Sequence, residues 1–340
     1  MATPRISARL PPNIDPTKSS LAYGNRQLIK LNGELQSSQL ITRQRALRSL
    51  CDVMHKPENM AESFRVGILE SLKTLLMDDD PIVRLKATEV LDIMSTHAIG
   101  RDAFLKQSVI KPLSKLLNDE VFEVRSNAHT AIEMLTHDYS GGSGVLASGL
   151  VPVLVEKLKT EEDEIKELIL DTLHNCMRID AIPTLECKAM EVFTDLLTDL
   201  REGVRARAAR SVMDLSFPIA GKEQACACDA VSYLVHLLSD QSMLVRAQAA
   251  GALMSISITT QGKYECIKVE AIPALVALLN DGSEDVRVNV VKAITTLAEA
   301  PEGRRALSSV VPKLKELYSD SNDVVIHAAK TAVEVIEWKP

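Results

Sequence analysis

An apolar residue followed by Arg, with Ala or Val three places and Leu, Ile or Val seven places beyond that Arg, returns along this chain about every 40 residues. The pattern stands at Val83-Arg84 with Ala87 and Leu91, and at Val124-Arg125 with Ala128 and Ile132. It returns at Val204-Arg205 with Ala208 and Val212, at Val245-Arg246 with Ala249 and Leu253, and at Val286-Arg287 with Val290 and Ile294. Weaker copies at Arg43, Lys166 and Val325 extend the column to 43, 84, 125, 166, 205, 246, 287 and 325. Apolar residues at +3, +7 and +10 from each anchor, such as Ala249, Leu253 and Ile256, mark one face of an α-helix.

A period near 40 residues is that of armadillo and HEAT units, each too small to bury its apolar faces alone. The expected fold is therefore all-α, a right-handed superhelical solenoid of about eight armadillo/HEAT-type repeats spanning residues 23–340. Residues 1–22, with Pro4, Pro11, Pro12 and Pro16 and no helical periodicity, read as an extended Pro-containing arm: either a loose tail or a strap laid on a partner or on the solenoid. The helix preceding the long one carries Pro in its first turn at Pro112, Pro152, Pro273 and Pro312, where the missing N–H has no intrahelical partner.

Two further markers recur. Asp stands six residues before the anchor at Asp78, Asp119, Asp199, Asp240 and Asp281, placed to cap the next helix or to meet a neighbouring cation. Gly followed by a cation comes after the long helix at Gly100-Arg101, Gly221-Lys222, Gly262-Lys263 and Gly303-Arg304, with a looser glycine loop at 141–144. These glycines are expected to end the long helix in the left-handed conformation. A charge placed at Leu253 or Leu278 should then disrupt the local stack.

Composition narrows the function. The net charge of −7 opposes binding to a phosphate backbone. There is no apolar run long enough to span a bilayer and no basic-then-apolar start, so the chain is expected on the cytosolic side, with no membrane or nucleic-acid partner. Its six cysteines are then expected to be reduced, mostly as small core residues. Cys226-Ala227-Cys228 is the tightest pair, but it lacks the spacing and the second pair of a zinc site. The seven histidines fall at unrelated repeat positions, and no nucleotide-binding or nucleophile motif follows a predicted strand. No catalytic residue, cofactor or metal is expected.

The concave row of long helices is the candidate binding surface. Nine residues after the anchor the column reads Asp52, Ile93, Met134, Asn175, Asp214, Ser255, Thr296 and Glu334. Five after it the column reads Arg48, Glu89, Thr130, Asp171, Arg210, Gly251, Lys292 and Lys330. An Asn ladder with Trp four residues earlier would suit extended basic peptides, and only Asn175 of that set is present. Arg48, Asp52, Glu89, Ile93, Met134, Asp171, Asn175, Arg210, Asp214, Lys292 and Thr296 are the protein-binding candidates. Their mixed charge, with an apolar patch near Ile93 and Met134, suits a helix or a folded neighbour. The plainer alternative is that they are ordinary solvated side chains.

Several segments go beyond the generic repeat: Leu21-Ala22-Tyr23-Gly24-Asn25-Arg26, Thr42-Arg43-Gln44-Arg45-Ala46-Leu47, Leu50-Cys51-Asp52-Val53-Met54-His55, and Gly251-Ala252-Leu253-Met254. With Leu297-Ala298-Glu299-Ala300-Pro301-Glu302-Gly303-Arg304 and the ending Val335-Ile336-Glu337-Trp338-Lys339-Pro340, the whole chain resembles the radial spoke head protein 14 family, also described as rhabdoid tumour deletion region proteins. The resemblance is looser around residues 139–190. It implies a non-catalytic structural subunit of the radial spoke in the ciliary or flagellar axoneme. Its place would be the spoke stalk or neck, against the dimeric helical scaffold, radial spoke protein 3, and neighbouring subunits. There it would help to transmit central-pair signals that control dynein-driven motility. The alternative is a soluble armadillo-type adaptor that binds peptide segments in transport or signalling.

Overall fold

The computed structural model describes residues 15–22, 24 and 26–338. The first fourteen residues of the arm, with Pro4, Pro11 and Pro12, lie outside the described residues, as do Lys339 and Pro340. Among the described residues all regular structure is helical. The contacts divide the chain into two compact units, Met1–Ser148 and Gly149–Pro340.

Each unit is a stack of repeats built around long helices of 14 or 15 residues. In the first unit these are Leu40–Val53, Pro81–Ser95 and Phe122–Thr136. In the second they are Asp163–Met177, Glu202–Leu215, Met243–Ile256, Glu284–Ala298 and Asp323–Glu337. Two shorter helices precede most of them, as Pro57–Arg65 and Ile68–Leu75 precede Pro81–Ser95. The helical face read from the sequence is the core: Ala87, Leu91 and Met94, Ala128, Ile132 and Leu135, and Val290, Ile294 and Leu297 are all buried. Burying each large aliphatic side chain contributes roughly 1.5–3 kcal/mol, and because each seam joins neighbours only, stability is summed along the stack.

Two details of that core differ from expectation. Leu253 is buried, but Leu278 is the half-buried C-cap of its helix, with Leu275 and Leu279 in the core instead. A charge at Leu278 is therefore tolerable where one at Leu253 is not. In the last long helix Val325, Ala329, Val333 and Ile336 form the buried face. Val325 thus stands in the place of Val286, and the anchor column continues at Ile326. The groove positions of that repeat are Thr331 and Val335, one residue beyond Lys330 and Glu334.

The acidic turns make one ladder in each unit. In six of the repeats the anchor cation reaches forward to the turn Asp of the next: Arg43 to Asp78 at 3.0 Å and Arg84 to Asp119 at 2.6 Å in the first unit. In the second, Lys166 meets Asp199 at 3.1 Å, Arg205 meets Asp240 at 2.8 Å, Arg246 meets Asp281 at 2.7 Å and Arg287 meets Asp320 at 2.7 Å. The same guanidinium also donates to carbonyls of its own turn, as Arg246 does to Asp240 at 2.8 Å and Gln241 at 3.0 Å. Each Asp in turn accepts from the N–H two residues on, for example Asp281 from Ser283 at 2.9 Å. Asp80 is a helix cap outright, accepting from Val83 ahead of Pro81.

The Gly-cation marker works differently from the expected helix stop. Gly100, Gly221, Gly262 and Gly303 lie inside the short helices Ala98–Lys106, Ile219–Ala227, Thr260–Lys268 and Pro301–Leu307. The glycine loop at 141–144 is likewise helical, within Tyr139–Ala147. What requires glycine is close approach. A Cβ at Gly262 would come well within 3.0 Å of the Ile256 carbonyl, and the same holds at Gly100, Gly141, Gly221 and Gly303. The following cation satisfies carbonyls at the end of the long helix: Arg101 on Ser95, Lys222 on Phe217, Lys263 on Ile258 and Arg304 on Ala298.

The left-handed corner lies elsewhere, between the two short helices. Gly67, Ser108, Gly149, Lys188, Asp229 and Glu270 all have positive φ, one in each of six repeats. A single residue in that conformation turns one helix into the next, as where Val109 N–H reaches back to the Phe104 carbonyl at 2.9 Å.

Candidate protein-binding groove

On a long helix the stripe opposite the core runs −2, +2, +5, +9 and +12 from the anchor, alternating steps of three and four residues. The columns chosen from the sequence lie on it.

In the first unit this surface is already occupied at one end by the chain itself. Residues 15–20 lie along the helix Leu40–Val53. Arg48 donates to the Thr17 carbonyl at 3.3 Å, and the Asp52 carboxylate accepts from Lys18 at 2.6 Å. Ser49 and Ser19 exchange hydrogen bonds at 2.9 and 3.1 Å, and Ser19 N–H also reaches the Arg45 carbonyl. The columns at +5 and +9 therefore hold a segment here through its main chain and one lysine. Sequence reasoning allowed for a strap on the solenoid but gave no signal that it would take these two residues.

Further along the first unit Glu89 pairs with Lys86 on its own helix. Burial, then the Glu89 charge, pushes the neighbouring Asp92 carboxyl up to about 6. Ile93 and Met134 are half-buried, so the apolar patch expected there is modest.

In the second unit the charges expected to face a partner are instead engaged with one another across adjacent long helices. Asp171 accepts from Arg207 at 2.9 Å and from Arg210. Arg207 also meets Glu167 at 3.0 Å. Asp214 lies 2.6 Å from the His174 ring. Thr296 shares a hydroxyl hydrogen bond with Ser257 at 2.6 Å, Asn175 is half-buried, and Lys292 stands exposed. Only the sequence spacing of these residues was legible; that +2 and +5 cations would bridge to the previous helix follows from the stacking distance, which one sequence does not print.

The thiols are held toward the neutral form. Burial pushes Cys51, Cys176 and Cys266 up to about 12, and it raises Cys187, Cys226 and Cys228 as well. Among the described residues no group of three His, Cys, Asp or Glu is placed to hold a metal ion.

Comparison with known proteins agrees with this geometry. Residues 186–328 match a family described as armadillo-like, and residues 41–182 match one described as non-SMC mitotic condensation complex subunit 1. Human armadillo repeat-containing protein 3 is 23% identical over 175 residues, half of this chain and 20% of that protein, so the chain spans about a fifth of this relative. Among solved structures, an engineered protein superposes with a TM-score of 0.83 at 24% identity, covering 92% of this chain and 78% of its own. A designed armadillo repeat protein in complex with the peptide (KR)4 gives 0.63 at 23%, covering 67% of this chain and 99% of its own. The fold is that of an armadillo-type helical solenoid, an architecture that typically binds proteins or peptides and is typically non-catalytic.

Proposed function

We propose that this armadillo-type scaffold is a non-catalytic structural subunit of the axonemal radial spoke, seated in the stalk or neck against the spoke's dimeric helical scaffold and its neighbours. In that position it helps to carry central-pair signals to the dynein-driven motility machinery. The observation that carries the reading is the meeting of two sequence segments that set the chain apart from a generic repeat. In the turn at 299–304, Arg304 lies over the Trp338 ring of the C-terminal segment, 5.1 Å from its centroid. In the same turn Glu299 binds Lys263 at 2.7 Å and Glu302 accepts from Tyr264 at 2.9 Å. The resemblance to spoke components thus falls on residues that build one end of the second unit together. A ladder of ion pairs between neighbouring repeats within each unit also suits a part that must transmit force, because it ties successive repeats together along the stack.

Fractionated axonemes test the proposal. The protein stays with the spokes after detergent extraction, and a wholly detergent-soluble pool would sink the reading.

A second reading, a transport or signalling adaptor that grips extended peptides, draws on the basic peptide held by the designed neighbour and on the way residues 15–20 lie over the first long helix. Against it, the Asp171 and Asp214 carboxylates that would attract a basic peptide are engaged by Arg207, Arg210 and His174. Titration with a Lys/Arg octapeptide separates the two: a Kd below micromolar favours the adaptor.

A further inference from the structure

The cation of the Gly-cation marker meets an acid of the next repeat until the last repeat, where the acid is replaced. Arg101 pairs with Asp138 at 2.6 Å and Lys263 with Glu299 at 2.7 Å, each acid standing 12 or 13 residues after the anchor of the next long helix. Lys222 is buried instead, its ammonium on the Phe217 carbonyl at 2.7 Å, and Ile258 stands at the matching place. For Arg304 the matching place, 12 residues after Ile326, is Trp338. The guanidinium lies over the indole ring, 5.1 Å from its centroid, and its Nε donates to the Ala298 carbonyl at 3.2 Å. No carboxylate among the described residues forms an ion pair with it. Stacking fixes the plane of the fork, and a fixed fork can take a carboxylate through two parallel bonds.

A recess of about 970 Å³ opens beside this pair, bordered by the helices Pro301–Leu307 and Val311–Glu316 and by the end of Asp323–Glu337. Its floor is apolar, with Val311 8% and Ile336 5% exposed. Pro301, Pro312 and Trp338 stand around that floor, all exposed, Trp338 at 57%. Arg and Trp side chains beside an apolar pocket are the groups that most often dominate the energy of a protein contact.

The charge open to an occupant is positive. Glu337 on the rim is matched by Lys315 at 2.9 Å, and Glu299 is taken by Lys263. Glu302 is divided between the Tyr264 hydroxyl at 2.9 Å and Arg305 at 3.4 Å. Arg305 is 75% exposed, so this last contact is a loose surface pair. Two guanidinium groups, Arg304 and Arg305, thus border the recess against one shared carboxylate.

We propose that this recess docks an acidic segment of a partner protein, which sets an Asp or Glu carboxylate on the stacked Arg304 fork and an adjoining apolar side chain over Val311 and Ile336 against the Trp338 ring. A basic segment is repelled by both arginines, and a purely apolar one leaves Arg304 without an acid. The inference rests on the scaffold reading above and deepens it, naming the chemistry of one neighbour held at this end of the second unit.

Trp338 is the chain's single tryptophan, so its fluorescence reports on this site alone. The full chain is titrated with a blocked peptide of Glu-Asp-Leu-Leu flanked by Gly-Ser, and with two controls in which the acids become Gln-Asn or the leucines become Gly-Gly. The parent peptide shifts the emission saturably to shorter wavelength, and each control binds at least about tenfold more weakly, equivalent to about 1.4 kcal/mol. Arg304→Gln loses about tenfold for the parent peptide and under about twofold for the Gln-Asn control, which has no carboxylate to lose. An absent shift, equal affinity for either control, or an undiminished titration of Arg304→Gln overturns the proposal. The peptide series needs no variant, so it decides the matter even where Arg304→Gln fails to fold. A shift that appears only after a Gly-Ser tail is added beyond Pro340 also overturns it, assigning the seat to the chain's own last residues. A dimer of the free chain that Arg304→Gln abolishes overturns it in favour of a second copy. Loss of the protein from detergent-washed spokes defeats the spoke reading and leaves these titrations unchanged.

Discussion

Removing one rung of the ion-pair ladder should cost more than a surface salt bridge does. Asp281 accepts from Arg246 at 2.7 Å with only 6% of its side chain exposed, and Arg246 is 17% exposed. Asp281→Ala deletes a charge-assisted hydrogen bond, leaves a mostly covered guanidinium without its carboxylate, and frees the Ser283 N–H that Asp281 also holds. A hydrogen bond to a charged group contributes about 1.5–3 kcal/mol, and breaking a fully buried pair costs about 3–5 kcal/mol. Arg246 keeps its carbonyl partners and some water, so a loss of about 2–3 kcal/mol is expected. Urea unfolding followed by circular dichroism reads the total. A double-mutant cycle with Arg246→Met isolates the pair, with an expected coupling of about 1–2 kcal/mol. Hydrogen exchange should show the loss concentrated in the repeats on either side of the rung. A change below about 0.5 kcal/mol, in the range of an exposed pair, would refute the reasoning.

Three other outcomes follow from single positions. Asp92 has its folded pKa raised to about 6, so its contribution to stability is full below the ordinary carboxylate pKa near 3.8 and is lost as pH rises through 6. Asp92→Asn should therefore leave stability at pH 4 nearly unchanged and raise it at pH 8 by about 1–2 kcal/mol, after allowing for solvent screening of a half-exposed group; denaturant midpoints at the two pH values check this. Glu270 sits at a φ of 58°, and Glu270→Gly should stabilise by about 0.5–1 kcal/mol, read by thermal melting, because the left-handed strain outweighs the added chain entropy. Gly262→Ala, which in an open helix would gain about 1 kcal/mol, should instead lose about 1–3 kcal/mol, since the new methyl meets the Ile256 backbone; the sign of the melting shift decides.

The sequence made the stack legible because its determinants are local and periodic. The +3, +7 and +10 positions repeat with the helical turn, and a turn Asp in most repeats announces a partner for a recurring cation. Where the determinant is a distance between elements, periodicity misleads or falls silent. Gly262 has the position of a helix stop and the function of a packing contact. The left-handed corner is glycine at only Gly67 and Gly149 among its six occurrences, so Lys188, Asp229 and Glu270 hide it. Val325 followed another valine, and only burial shows that Ile326 takes the anchor's place. For the groove, spacing found the right helical face, but the side chains on it proved to be engaged: Arg48 and Asp52 by the chain's own residues 15–20, Asp171 and Arg210 by each other.

In the proposed role the protein works by holding neighbours against the exposed face of its long helices. Amine-reactive crosslinking of intact spokes, followed by mass spectrometry, tests it most directly. Lys292, on that face, should crosslink to other spoke subunits, while Lys268, 72% exposed on a short helix, should not. Crosslinks to neighbours from Lys268 with none from Lys292 would contradict the claim.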